Sequence, residues 1–121
     1  MDCQEIFDKV NEHFFQQEVP ATDELGTCSY RTAEGNKCAV GVLIPDNEYT
    51  PSMERETVAG IVTLVPSLQS VASDSKELLL LRRLQRIHDL TAMRREKLNG
   101  TQTQSEMRLA AQEFNLEYKI T

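Results

Sequence analysis

The feature that most restricts what this 121-residue chain can fold into is the segment from 75 to 98. Leu80, Leu84, Ile87, Thr91 and Leu98 recur at helical spacing, with Leu81 and His88 on one flank and Arg82, Arg86, Asp89 and Lys97 on or near the opposite face. Such a stripe has to be buried against other elements, so it predicts one long amphipathic helix forming one wall of the core. Asp74 and Glu77 have capping-box spacing at its start, and Asn99-Gly100 provides the expected stop.

The remaining elements are shorter. Cys3, Ile6, Phe7, Val10 and Phe14 form a second stripe over 3–17, opened by Asp2 and Glu5 and closed before Val19-Pro20. Pro51 opens a helical turn through Glu54, and Thr57 caps a short helix ending near Leu64. Residues 67–73 read as loop, and Thr103 with Glu106 opens a last helix through about Glu113. Between the first two helices, residues 27–44 read as a β-hairpin closed by Ala33-Glu34-Gly35. Its apolar face would carry Cys28, Tyr30, Cys38, Val40 and Val42. The alternating tail of Leu116, Tyr118 and Ile120 would add a strand to that hairpin. The expected fold is therefore α+β: a single domain over 1–121, with the hairpin packed against three to four helices.

Composition bounds the function. The longest apolar runs are far too short for a spanning helix, and no secretory leader is visible at MDCQEIFDK. Three irregularly spaced cysteines fit reduced thiols in a cytosolic compartment. The net charge of −6 argues against nucleic-acid binding over the whole surface, yet it conceals a division. Residues 76–97 hold seven cations and three anions, which leaves a remainder of −10. Such an exterior would steer the chain toward a basic target surface.

Three constellations deserve chemical tests. Cys38, His88 and Asp89 are the residue types of a thiol nucleophile, its base and an orienting acid, but no nucleophile motif surrounds Cys38. Metal-ligand spacing is lacking, since Cys28 and Cys38 are nine residues apart and neither His13 nor His88 has a close partner; no metal or cofactor is expected. Arg82, Arg86, Arg94 and Arg95 either pair with carboxylates of the first helix and the connector or stay exposed as an anion-binding face. Tyr30, Arg31, Asp46, Tyr49 and Glu54 gather the aromatic and charged types that interfaces enrich.

Tyr30-Arg31, Gly35, Lys37-Cys38-Ala39-Val40-Gly41, Leu43-Ile44-Pro45-Asp46, Tyr49, Pro51 and Met53-Glu54 form a text that resembles a small phage and prophage protein family. Leu84-Gln85 and Ile87-His88-Asp89 resemble that family's downstream helix motif. The likeness is close over 28–54, looser over 6–98, and brings no catalytic role with it. It implies a virus-encoded accessory protein in the host bacterial cytoplasm, which binds and inhibits or redirects a host or defence protein. Tyr30, Arg31, Asp46, Tyr49 and Glu54 are the expected partner-binding residues. The alternatives from other classes are a protein that sequesters an anionic nucleotide on Arg82, Arg86, Arg94 and Arg95, and a thiol enzyme using Cys38 and His88. A homo-oligomer stays open.

Overall fold

The computed structural model describes residues 1–71 and 75–119. Four α-helices dominate: α1 (Cys3–Gln17), α2 (Val58–Leu64), α3 (Lys76–Met93) and α4 (Thr101–Glu113). Short 3₁₀ turns occupy Gly41–Leu43, Asp46–Glu48, Pro51–Arg55 and Pro66–Leu68. Among the described residues none of the helices is long and apolar enough to cross a membrane.

The α1 stripe is buried through Ile6, Phe7, Val10 and Phe14, and Asp2 and Glu5 form the reciprocal capping box. On α3, Leu80, Leu84, Ile87 and Thr91 face the core, joined by Leu78, Leu81 and His88. Ser75 caps this helix by accepting from the Leu78 amide; Asp74, the expected cap, lies outside the described residues. The helix stops at Met93, a turn earlier than the Asn99-Gly100 signal suggests. The Glu96 amide bonds the Thr91 carbonyl and the Arg95 amide bonds the Ala92 carbonyl, while Arg95 takes φ 56°. This is the Schellman arrangement, with arginine at the position glycine usually fills. The Asn99-Gly100 pair instead leads into α4, whose Thr103 meets Thr91 of α3 through buried hydroxyls 2.5 Å apart.

The expected α+β fold does not form: there is no sheet among the described residues, only isolated bridges at Thr22–Cys28 and Arg31–Lys37. The turn at Ala33-Glu34-Gly35 closes, with Gly35 at φ 90°, the Thr32 amide on the Asn36 carbonyl and the Cys38 amide on the Tyr30 carbonyl. The ladder fails to extend because its donors are taken elsewhere. The Tyr30 and Arg31 amides go to the Glu54 carboxylate, the Ser29 amide to the Ala21 carbonyl, and the Val40 amide to Gln85. From Cys38 the chain then coils, through the bonds Val42 to Cys38, Leu43 to Val40 and Ile44 to Gly41. Cys38, Ala39, Val40, Gly41, Leu43 and Ile44 are consequently all buried and only Val42 is partly exposed, so the run does not alternate between a core face and a solvent face. Gly41 is required here, because a Cβ would stand 1.9 Å from the Tyr30 carbonyl oxygen.

The tail also differs from the expected strand. Gln4 brackets Glu117 by bonding both its amide and its carbonyl, Asn11 donates to the Lys119 carbonyl, and Tyr118 packs edge-on to Phe7. The tail thus lies along α1 and is not paired as a strand with the 27–44 segment. Ile120 lies outside the described residues.

Candidate functional site

Two polar clusters organise the 19–56 region, one within it and one joining it to α3. The first contains all five residues expected to bind a partner. Glu54, at the end of the turn that Pro51 opens, accepts from the Tyr30 amide at 2.8 Å, the Arg31 amide at 3.0 Å and the Tyr49 hydroxyl at 2.5 Å. Arg31 pairs with Asp46 at 2.8 Å, donates to the Ile44 carbonyl, and stacks over the Tyr49 ring with its guanidinium carbon 4.8 Å from the centroid. The Tyr30 hydroxyl reaches the Glu56 carbonyl at 2.6 Å. Hydrogen bonding from Arg31, helped by Lys37, holds the exposed Asp46 carboxyl below its ordinary range. Burial and the neighbouring carboxylates push the Tyr30 hydroxyl up to about 12. The structure therefore brings these residues together, but they spend most of their polar groups on one another.

The second cluster joins the 20–40 segment to α3. Asp89 is its hub: it accepts from His88 Nδ1 at 3.0 Å, from Gln85 Nε2 at 2.9 Å, and from the Cys28 thiol. Gln85 in turn accepts from the Val40 amide at 3.1 Å, and His88 Nε2 accepts from the Ala21 amide at 2.9 Å. Burial by itself raises the Asp89 carboxyl, but the three donors outweigh it and the group sits below its usual range.

Ligand atoms of Cys28, His88 and Asp89 lie within 4.8 Å of one another, close enough to raise the question of a metal. The imidazole answers it. Because Nε2 receives a backbone hydrogen, the neutral ring carries its proton on Nδ1. A metal on Nδ1 would move that proton to Nε2, where it would point at the Ala21 N–H. A metal on Nε2 would displace the amide from its buried acceptor. The donor set does not suit a resident ion.

The same bonds disfavour the thiol-enzyme alternative. Cys38 is fully buried, accepts from the Gly41 amide at 3.3 Å, and is pushed up to about 12 by burial. Cys28, not Cys38, borders Asp89, and burial together with that carboxylate pushes it to about 12 as well. An activated cysteine needs a base or a cation beside it. Cys28 has a carboxylate, and both imidazole nitrogens are engaged.

Comparison with protein-family models, curated proteins and solved structures finds no match.

The four arginines of the anion-binding alternative do not converge. Arg94 is held by Glu96 and Glu106, each at 2.6 Å, and Arg95 is exposed in the left-handed cap. Arg82 and Arg86 are exposed on α3 with no ion pair among the described residues, and they line a groove of about 260 Å³. Where acids do pair with this helix and the turn after it they come chiefly from α4 and that turn: Arg83 meets Glu113, and Arg94 meets Glu106 and Glu96. Lys97 reaches Glu18.

Sequence reasoning passed over Leu25 and Met93, which are 90% and 78% exposed. They line one groove of about 680 Å³ together with Val19 and Pro20. Each had a signal. Leu25 is a lone large apolar residue in the polar turn Asp23-Glu24-Leu25-Gly26, and Met93 lies off the buried stripe of α3.

Proposed function

We propose that this chain is a non-catalytic, phage-encoded accessory protein that works by binding, and so inhibits or redirects, a bacterial host or defence protein. The viral setting and the class of target rest on the sequence resemblance over 28–54. The observation that carries the binding role is the pair Leu25 and Met93, two large apolar side chains left in water beside a common groove. The polar side chains that resemble catalytic groups support it from the other direction, since their donors and acceptors are consumed in holding the fold.

Affinity capture from bacterial lysate at low and high salt tests this reading. One dominant protein, recovered near one-to-one and lost from a Leu25→Asp/Met93→Asp variant that melts like the parent, is the expected result. Recovery of nothing above background from the parent chain would overturn it.

The exposure of Arg82 and Arg86, which make no ion pair among the described residues, favours one second reading, sequestration of an anionic nucleotide. Thermal stabilisation of the protein by a cyclic or linear nucleotide, lost in Arg82→Ala/Arg86→Ala, would select it over the first.

A further inference from the structure

The geometry points to the solvent-facing stripe of α3 as the docking surface, and to an acidic amphipathic helix of a partner protein as its occupant. This rests on the binding role proposed above and names the surface and the partner's chemistry.

Arg82, Arg86, Asp89 and Leu90, and Met93 recur at spacings of three and four, with Asp89 and Leu90 side by side, so they form one band along α3. The stripe lies in a trough rather than on a bare ridge. A groove of about 300 Å³ reaching Tyr30 and Glu56 shares Val58, Gln85 and Asp89 with the groove of about 260 Å³ beside Arg82 and Arg86. The latter shares Met93 with the groove of about 680 Å³ at Leu25. From Arg82 to Met93 the stripe covers eleven residue steps, about 16 Å or three helical turns. That length, and a repeat matching the 3.6-residue period, suit a second helix laid along the first, with side chains of one filling gaps of the other.

Charge fixes the partner's sign. Arg82 and Arg86 have no ion pair among the described residues, and Arg95 is exposed at the far end. The one acid within the stripe, Asp89, already accepts from His88, Gln85 and Cys28. Along α3 the stripe is therefore positive although the chain as a whole carries −6. Of the acids lining the adjoining grooves, Glu54 is taken up by the Tyr30 and Arg31 amides, Glu96 pairs with Arg94, and Glu56 lies at the Tyr30 end, so a partner's acids are drawn to the Arg82 and Arg86 end. At its other end Leu90, Met93 and Leu25 supply the apolar contact that gives such an interface its hold. A complementary helix carries Asp or Glu opposite Arg82 and Arg86, and Leu, Ile or Phe one to two turns away.

The test is site-specific photocrosslinking of the full chain in a bacterial cytoplasm. A benzophenone amino acid is placed at Arg86 or Met93 in the trough, or at Leu64 or Leu109, which are exposed elsewhere. Adducts from Arg86 and Met93 that map by mass spectrometry to one acidic, helical segment are expected. The Arg82→Glu/Arg86→Glu variant should reduce the Met93 adduct at least about tenfold while melting like the parent. Adducts confined to Leu64 or Leu109, or trough adducts to a basic or non-helical segment, would overturn this surface and leave the binding role standing. Absence of protein adducts at all four positions would overturn the binding role itself.

Discussion

His88 Nε2 accepts the backbone hydrogen of Ala21 at 2.9 Å, so a side chain on α3 terminates a hydrogen bond from the loop that follows α1. Both residues are fully buried. The bond fixes the ring tautomer, turns Nδ1–H toward Asp89, and leads through Asp89 to Gln85 and Cys28. One helix thereby holds three separate points of a segment that has no sheet to hold it.

Replacing His88 by Phe keeps an aromatic ring near Phe14 but strands the Ala21 amide in the core. An unsatisfied buried donor costs about 1–3 kcal/mol, so urea unfolding should show a loss in that range. Arg86→Ala, at an exposed position, should stay within about 0.5 kcal/mol of the parent. Equal stability of the two variants would contradict the anchoring role.

Backbone constraints set Gly41, Gly35 and Arg95 apart. Gly41→Ala places a Cβ 1.9 Å from the Tyr30 carbonyl oxygen, so backbone must move; a loss of about 3 kcal/mol or more is expected. Gly35→Ala meets open space and suffers only from φ 90°, a loss of about 1–2 kcal/mol. Arg95→Gly relieves φ 56° and should gain up to about 1 kcal/mol. Denaturant midpoints of the three variants check the order.

The helical part of this fold was legible because its signals are local. The α1 and α3 stripes and the Thr57 cap each depend on neighbours within four residues. The 27–44 segment misled because its alternation and its Gly35 turn satisfy the hairpin pattern, while what cancels the ladder is remote: Glu54, Gln85 and Ala21 take its amides. The Tyr30, Arg31, Asp46, Tyr49 and Glu54 grouping was visible from residue type alone, but its inward pairing was not. That Asp89 would choose Cys28 over Cys38 depends on how the loop crosses α3, which spacing does not encode. The early stop of α3 was hidden because an arginine, Arg95, occupies a cap where glycine is the usual sign.

The three thiols should differ in reactivity. At pH 7.5 iodoacetamide should modify Cys3 first, Cys28 slowly, and Cys38 only on unfolding. Burial and nearby acids raise Cys3 modestly, whereas Cys28 and Cys38 are pushed up to about 12. Asp89→Asn removes the charge beside Cys28 and should speed its alkylation severalfold, as read by peptide mass spectrometry. Fast modification of Cys28 in the parent would contradict its protonated, carboxylate-bound state.

Acid should weaken the fold in two stages. Burial holds His13, whose Nε2 meets the Lys37 carbonyl at 2.8 Å, below the ordinary 6.5. The unfolded chain therefore binds this proton more readily, and the His13 contribution is complete above about 6.5 and lost as pH falls through its lower native value. Asp89 and Asp46 sit below 3.8, so their contributions persist above about that pH and vanish beneath it. The urea midpoint should be flat from pH 7 to 8, decline below about 6.5, and decline again below about 4. His13→Gln should reduce the first decline and leave the second.

The Cys28, His88 and Asp89 cluster is a fastening and not a reactive or metal-binding centre. Nitrogen-15 NMR of the His88 ring at pH 7, before and after one equivalent of zinc, measures it most directly. The Nδ1–H tautomer with an unprotonated Nε2, and a spectrum that zinc leaves unchanged, are the expected results. An Nε2–H tautomer, or a zinc-dependent shift at either nitrogen, would contradict it.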